Sequence, residues 1–505
     1  MSTSEPDYPV IIIGGGPTGV TAATLLGQQG VRCLLLDRWA EVYPQPRAVH
    51  LDDEVYRILG HLGVADGFAA ISRPSMGLRL LSPNHRTLAE FSRDGIAPNS
   101  GYPRANMFDQ PVLEALLRSN LTMTPSVDFV RNVDVVDVDT SSKLVATVHY
   151  RDKAIGEQRT VTGHYVLGCD GANSIVRRAI ASEFLDLKFE QRWLVIDIDT
   201  AVDLNQWEGV HQVCDSRRAG TYMRISGTRY RWEFALLAGE SASDFPDVES
   251  LMPLISPWTE NVPPQHLDLV RVAEYTFRAV VADRWRRDNV FLLGDAAHLT
   301  PPFIGQGMGA GLRDAHNLAW KLAGLINGEL EPDVLDSYEV ERKDHAVGII
   351  KLARLTGIVM TEGGRVGDAL RGAIAPALAA VPVIRNRFLD SETKPLKPNK
   401  WISGRHRDRL AGTLIPNARV AGKRFDELNR TGLTVVALGP VAAELKELAM
   451  PRRYPVVEVT WDHELGRWLR RGGASAAIVR PDSTVLASGS SCRAILRQLA
   501  RLRRD

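Results

Sequence analysis

The sequence is poor in cysteine: 505 residues hold four, Cys33, Cys169, Cys214 and Cys492. They lie far apart and form no CxxC pair. That spacing excludes a disulfide framework and a thiol-rich zinc site, and no metal is expected; it fits separate reduced thiols in a cytoplasmic protein. Excess charge is missing too. Lys+Arg number 61 against 60 Asp+Glu, a net charge of +1, so no global field favours nucleic acid or an anionic membrane. No apolar run reaches the roughly 18 residues of a membrane span. The nearest, 369–384, is broken by Arg371, Gly372, Pro376 and Pro382. The N-terminal residues lack the basic, apolar and small-residue pattern of a signal peptide. No internal repeat of useful length stands out.

What is present reads as a globular α/β chain of about three domains at roughly 150 residues each. Residues 10–13 are a short β-branched run, the mark of a buried parallel strand. A helix is expected over 20–29, stopped by Gly30, then a second buried strand over 31–36. Residues 43–104 look irregular apart from a helix at 52–62; another helix starts at Gln110. Strand-like segments follow at 144–150, 160–167, 193–200, 230–237 and 289–293, then a long amphipathic helix over 308–326. The polar, Pro-rich stretch at 390–398 marks a boundary. Beyond it come strands at 434–438, 456–460 and 475–479 and a helix at 492–502. The terminal arginines, Arg493, Arg497, Arg501, Arg503 and Arg504, are read as opposing a helix dipole.

Gly14, Gly16 and Gly19 spell GxGxxG between the first strand and its helix. The first glycine makes the turn, the second admits a pyrophosphate, and the third lets helix and strand pack. Phosphates would sit on the helix N-terminus. Asp37 follows about 20 residues on, where an acid binds ribose hydroxyls. One fingerprint alone does not separate FAD from NAD. Two later segments do: Asp170-Gly171 after a strand, and Gly294-Asp295 after another, opening a glycine-rich loop through Pro302, Gly305, Gly307, Met308 and Gly309.

With those three motifs in order, the chain resembles the single-component flavoprotein aromatic hydroxylases over about residues 10–343. It is similar in particular to the 3-(3-hydroxyphenyl)propionate and phenol hydroxylase members. The resemblance implies a Rossmann-like FAD-binding domain of the glutathione-reductase type in two parts, 1–188 and 284–392. A β-rich substrate domain (189–283) would be inserted between them, and a thioredoxin-like domain (398–505) would follow. It implies FAD contacts from Pro17, Thr18, Arg38, Arg47, Gln110, Val133 and Gly294 besides the glycines and Asp37. It puts Asp295 on the ribityl chain, Pro302 beside the reactive flavin edge, and the N–H groups of Met308 and Gly309 on the flavin pyrimidine. Asp170 would lie near FAD and the pyridine nucleotide. Gly309 departs from the pattern, since relatives often carry Asn or another side chain there.

The implied reaction uses NADPH or NADH and dioxygen to hydroxylate a small phenolic substrate through a flavin C4a-hydroperoxide. Arg231, Pro302 and Arg47 are the residues assigned to the reaction centre. Arg231-Trp232-Glu233-Phe234 matches an RWEF stretch in the family, with Arg231 either near the isoalloxazine or paired to Glu233 or Asp215. Tyr222, Tyr230, His211 and His50 are candidate phenol or relay contacts, each also readable as packing. His298 reads as a structural residue of its loop. Arg480-Pro481-Asp482 matches an RPD signature of the C-terminal domain, which without CxxC reads as structural, with a homodimer interface as one use. There is one dinucleotide fingerprint and no redox Cys pair, so NAD(P)H would dock transiently on the FAD domain. The rival readings are a polyketide or quinolone tailoring hydroxylase, an FAD oxidase or dehydrogenase, and a flavin-binding scaffold.

Overall fold

The computed structural model describes residues 5–93, 95–97, 99–362, 364, 367, 394–404, 408–447 and 454–500. The apolar stretch 369–384, residues 390–393 of the expected boundary, and Arg501, Arg503 and Arg504 lie outside the described residues.

Apolar residues without polar alternation need cover on both faces, and the N-terminal sheet gives it. Tyr8–Ile13 lies between Cys33–Asp37 and Gln158–Gly168, parallel to both. Val127–Arg131 and Val290–Leu292 extend the parallel sheet on either side. Val133–Asp139 and Ala146–Asp152 form an antiparallel flap on Gln158–Gly168. The helices Pro17–Gln28 and Gly307–Ile326 pack together over this sheet. Their contact is tight at Gly311, where a Cβ would lie 2.3 Å from Thr18 Oγ1.

The second sheet has eight strands, and it is wider than the expected 189–283. Phe184–Asp199 runs antiparallel between Arg229–Ala235 and Asp268–Ala282. Gly77–Leu81 and Thr87–Ser92 join one edge, from the segment that reads as irregular in sequence, and His298–Leu299 joins the other. Alternation divides its faces. Leu194, Ile196, Tyr222, Tyr230, Trp232 and Phe234 form an apolar cluster on one face, covered by the helix Val248–Thr259 through Leu251, Ile255 and Trp258. The intervening residues Val195, Thr221, Met223, Arg231 and Glu233 line a cavity on the other.

The last unit is a four-stranded sheet in the order Val456–Val459, Thr434–Leu438, Ala476–Val479, Val485–Gly489. Its first pair is parallel and the rest antiparallel, with helices Gly439–Glu447, Glu464–Arg471 and Cys492–Ala500 in between and after. Arg480 anchors it to the helix Asp336–Thr361 by a two-pronged ion pair with Glu341, both N–O distances 2.9 Å. Among the described residues no helix is long and apolar enough to cross a membrane.

Candidate active site

A cavity of about 610 Å³ runs between the N-terminal sheet's loops and the polar face of the second sheet. Two helix N-termini open on it, at Gly16, Pro17 and Thr18 and at Gly307 and Met308. Neither helix has a side-chain cap hydrogen bond at its N-cap, Gly16 or Gln306. Uncapped N–H groups and the positive end of the helix dipole therefore face the same space, which suits an anionic ligand.

The glycines divide by role. Gly14 has φ +107°, and a Cβ there would lie 2.3 Å from the Cys169 carbonyl oxygen. A Cβ on Gly19 would lie 1.9 Å from the Gly14 oxygen, so that glycine serves helix–strand packing. Gly16 and Gly307 have nothing within 4 Å of a built Cβ, which leaves room for a ligand against the backbone.

Asp37 ends its strand, buried, and receives a 2.6 Å hydrogen bond from Arg118 Nη2, which also donates to the Gly15 carbonyl at 3.0 Å. Sequence reasoning missed Arg118. Its signal is periodic: Gln110, Glu114 and Arg118 stand four apart on the helix Gln110–Leu121, hence on one face.

The segment 46–48 is held from both sides. Gln110 Oε1 accepts the N–H groups of Arg47 (3.0 Å) and Ala48 (2.6 Å). Arg231 and Arg271 donate to the Pro46 carbonyl at 2.9 and 3.0 Å, and Arg231 Nη1 to the Arg47 carbonyl at 3.1 Å. Arg231 also grips Asp197 through Nε (2.7 Å) and Nη2 (2.9 Å). It is thus a positioning residue whose main partner is Asp197. Glu233 is farther, at 3.8 Å, and Asp215 pairs with Arg217. Register explains Asp197, which stands directly across from Arg231 on the neighbouring strand.

Asp295 presents its carboxyl to the cavity and makes no hydrogen bond among the described residues. The residue is exposed to the cavity, yet the cavity walls desolvate its carboxyl and raise its pKa, with His298 and Arg47 opposing the rise. Pro302 and Gly305 also line the cavity. His298 is buried beneath it, with Nε2 2.8 Å from Asp314 Oδ2 and its ring stacked on Trp285. His50 borders the cavity near Gly305, and burial, helped by Arg93, lowers its pKa to about 4.

Other expected residues stand back from the cavity lining. Asp170 accepts from Ser174 Oγ (2.6 Å) and from the N–H groups of Ile175 (2.7 Å) and Val176 (3.2 Å), so it holds the start of the helix Ile175–Ala179. Its neighbours Gly171 and Ala172 do reach the cavity. Arg38 is exposed and 3.8 Å from Asp134. Val133 is buried in its strand. Gly294 takes φ +58° against Thr18. Gly309 is buried against Val55, whose Cγ2 would lie 2.8 Å from a Cβ there, which accounts for the missing side chain. Tyr222, Tyr230 and His211 face away from the cavity; Trp258 Nε1 donates to His211 Nδ1 at 3.2 Å.

Residues 7–353 match the family described as FAD binding domain. The 3-(3-hydroxy-phenyl)propionate/3-hydroxycinnamic acid hydroxylase of Escherichia coli O139:H28 (strain E24377A / ETEC) is 32% identical over 389 residues, 77% of this chain and 68% of that protein. The enzyme of the same name from Burkholderia cenocepacia (strain HI2424) is 34% identical over 387 residues, 77% of this chain and 70% of its own. Among solved structures, the flavin-dependent monooxygenase PieE in complex with FAD and substrate superposes with a TM-score of 0.81, at 21% identity over 99% of each chain. The chain belongs to the FAD binding domain family. It is an oxidoreductase of the flavoprotein monooxygenase type, and its curated relatives are aromatic hydroxylases.

Proposed function

We propose that this cavity binds FAD and that the protein hydroxylates a phenolic substrate with NAD(P)H and dioxygen, a 3-(3-hydroxyphenyl)propionate-like phenol being the best-supported choice. One observation carries this. A single space joins two uncapped helix N-termini, suited to a nucleotide's phosphates, to a surface of the sheet residues Val195, Met223 and Phe277 with Phe303 of the 302–304 loop, suited to an aromatic ring. FAD, when bound, supplies the redox chemistry: electrons from NAD(P)H and activation of dioxygen.

The residues present fit that group. Asp295 is an acceptor without a donor among the described residues, as a ribityl hydroxyl requires. Asp37 is the acid for ribose hydroxyls, and Arg118 keeps its charge compensated. Arg47, on a segment fixed by Gln110 and Arg231, is the cation for the pyrophosphate. Pro302 stands by the reactive edge, with the N–H groups of Met308 and Gly309 toward the pyrimidine. NAD(P)H docks from outside, since the chain has one dinucleotide fingerprint. The C-terminal unit is read as a thioredoxin-like, structural domain, a reading supported by its strand order and its β–α–β–α–β–β–α succession.

The test is a screen of phenols for stimulated NAD(P)H oxidation, with labelled dioxygen and the product mass measured. One labelled oxygen in the ring is expected. No inserted oxygen, or oxygen from water, would point to an oxidase or dehydrogenase. Turnover of fused rings alone would move the substrate to the polyketide class. Asp295→Ala is expected to lose at least tenfold in FAD affinity, in line with about 1.5–3 kcal/mol for a hydrogen bond to a charged group. A fully yellow variant with unchanged affinity would remove Asp295 from the site.

A further inference from the structure

One carboxyl on the substrate sheet, that of Glu233, is held only by a 3.8 Å ion pair to Arg231 among the described residues. Glu233 lines the cavity and makes no hydrogen bond among the described residues. Its side chain is 13% exposed, and that exposed part belongs to a cavity-lining residue. Resting on the hydroxylase reading above, we propose that Glu233 is the proton acceptor for the hydroxyl group of the bound phenol. The phenol O–H bond breaks, its electron pair stays on the phenolate oxygen, and the proton goes to a Glu233 carboxylate oxygen.

The register supplies the geometry. Thr221 and Val195 stand directly across from Glu233 on its two neighbouring strands, and Gln212 stands across from Thr221. All four line the cavity. Opposed residues on neighbouring strands have Cβ atoms about 4.5–5.5 Å apart. Gln212, Thr221 and Glu233 therefore make a polar row wide enough to lie along one aromatic ring. Gln212 Nε2 donates to the Phe303 carbonyl at 2.9 Å, next to Pro302, so the row adjoins the loop where the flavin edge is placed. Gln212 Oε1 is buried without a hydrogen-bond partner among the described residues, a second acceptor for a substrate hydroxyl.

Charge agrees with this role. The groups facing Glu233 are Arg231 on its own strand, Asp197 on one neighbour, and Arg271 and Tyr275 on the strand beyond; the strand Gly220–Arg224 offers the neutral Thr221. Arg47, His50 and Asp295 line the rest of the cavity. Arg231 and Arg271 both contact Asp197. With Glu233 ionised these four groups are neutral in sum. Once Glu233 takes the proton they are net positive beside the new phenolate, which stabilises it. Burial raises the Glu233 pKa, against the pull of Arg231, which brings it closer to that of a phenol and makes it a better base.

The test compares wild type, Glu233→Gln and Glu233→Asp, each purified with FAD, using 3-(3-hydroxyphenyl)propionate as probe and measuring hydroxylated product from pH 6 to pH 10. In wild type the rate should rise with pH through the raised Glu233 pKa and then level. Glu233→Gln should lose on the order of 10²-fold at pH 7, the usual scale for general-base catalysis. That loss should shrink steadily toward pH 10, where a phenol with a pKa of about 10 ionises unaided. Glu233→Asp should restore part of the neutral-pH rate. An unchanged profile in Glu233→Gln, or a loss equal at every pH, would overturn the assignment. FAD content and the Asp variant separate it from misfolding. Failure of wild type to hydroxylate this or any phenol sinks the hydroxylase reading itself, and is told apart because it appears without any mutation.

Discussion

Two clusters of buried charge in this protein use the same residue types but are finished differently. At the C-terminal unit, Arg480, Lys321 and Glu341 have fully buried side chains and Asp482 nearly so. Every group there is engaged. Glu341 receives Arg480, Lys321 Nζ (2.9 Å), Asn317 (2.8 Å) and Asn399 (3.0 Å), and Asp482 receives Trp320 Nε1 (3.2 Å) as well as Arg480. Nearby, Arg57 grips Asp426 at 2.6 and 2.7 Å and donates to the Ile415 carbonyl. At the substrate sheet, Asp197, Arg231, Arg271 and Glu233 also balance, yet among the described residues Arg271 Nε has no hydrogen-bond partner and Glu233 accepts no hydrogen bond. The closed cluster borders a space of only about 60 Å³, the open one a cavity ten times larger. A satisfied network holds parts together; unsatisfied atoms facing a cavity are available to a ligand.

The contrast breaks first, and hardest, at Arg480. Arg480→Met leaves Glu341 and Asp482 buried with only Lys321 to compensate them. Removing one partner of a buried pair costs about 3–5 kcal/mol. Urea unfolding followed by tryptophan fluorescence should show a midpoint lowered accordingly. A variant with normal stability but impaired turnover would mean that the closed cluster is not structural.

Much of this was readable from sequence because the reasons are local. GxGxxG works through backbone conformation at Gly14, open space beside Gly16 and close approach at Gly19, so its spacing carries the information. Strand alternation in Arg231-Trp232-Glu233-Phe234 fixes which residues share a face. What stayed hidden depends on partners far away in the chain. Asp197 meets Arg231 across 34 residues, and Arg118 meets Asp37 across 81. The strands Gly77–Leu81 and Thr87–Ser92 sit at a sheet edge in a segment full of turns, and the pairing of Gly77–Leu81 with Val210–Val213 is not written in its own composition. Asp170 shows a motif residue that also has a local structural task. Its motif position points to a ligand, and its carboxylate also holds the helix start at Ile175.

The two faces of the substrate sheet repeat the open-and-closed contrast, and acid separates them. His211 lies on the closed face, where its Nδ1 accepts from Trp258, and burial lowers its pKa to about 4. An unfolded chain takes a proton at about 6.5, so between those values the unfolded state binds more protons. The histidine's contribution is complete above pH 6.5 and is lost as pH falls toward 4. His211→Asn should make the acid-side decline of unfolding free energy shallower by about 1.4 kcal/mol per pH unit, the value of one proton. An unaltered slope would mean that His211 is already protonated in the fold.

The smallest effect falls where a closed cluster meets the cavity. Arg313 ties Asp52 (2.7 Å), Glu54 (3.0 Å) and Gln306 (3.1 Å) together beneath the start of the helix Gly307–Ile326. Gly309 sits there without positive φ, so backbone freedom is not its purpose. A Cβ would press on Val55 Cγ2 at 2.8 Å and on Arg313 Nη1 at 3.1 Å. Overpacking costs about 1–3 kcal/mol, against about 1 kcal/mol of helix propensity gained by alanine. Gly309→Ala should therefore destabilise by about 1 kcal/mol net, and Val55→Ala should relieve it in a double-mutant cycle, with a coupling of at least about 0.5 kcal/mol. If Gly309→Ala is stabilising on its own, Val55 yields freely. Packing would then not explain the glycine, and the close approach of a ligand to the helix N-terminus becomes the reason for it.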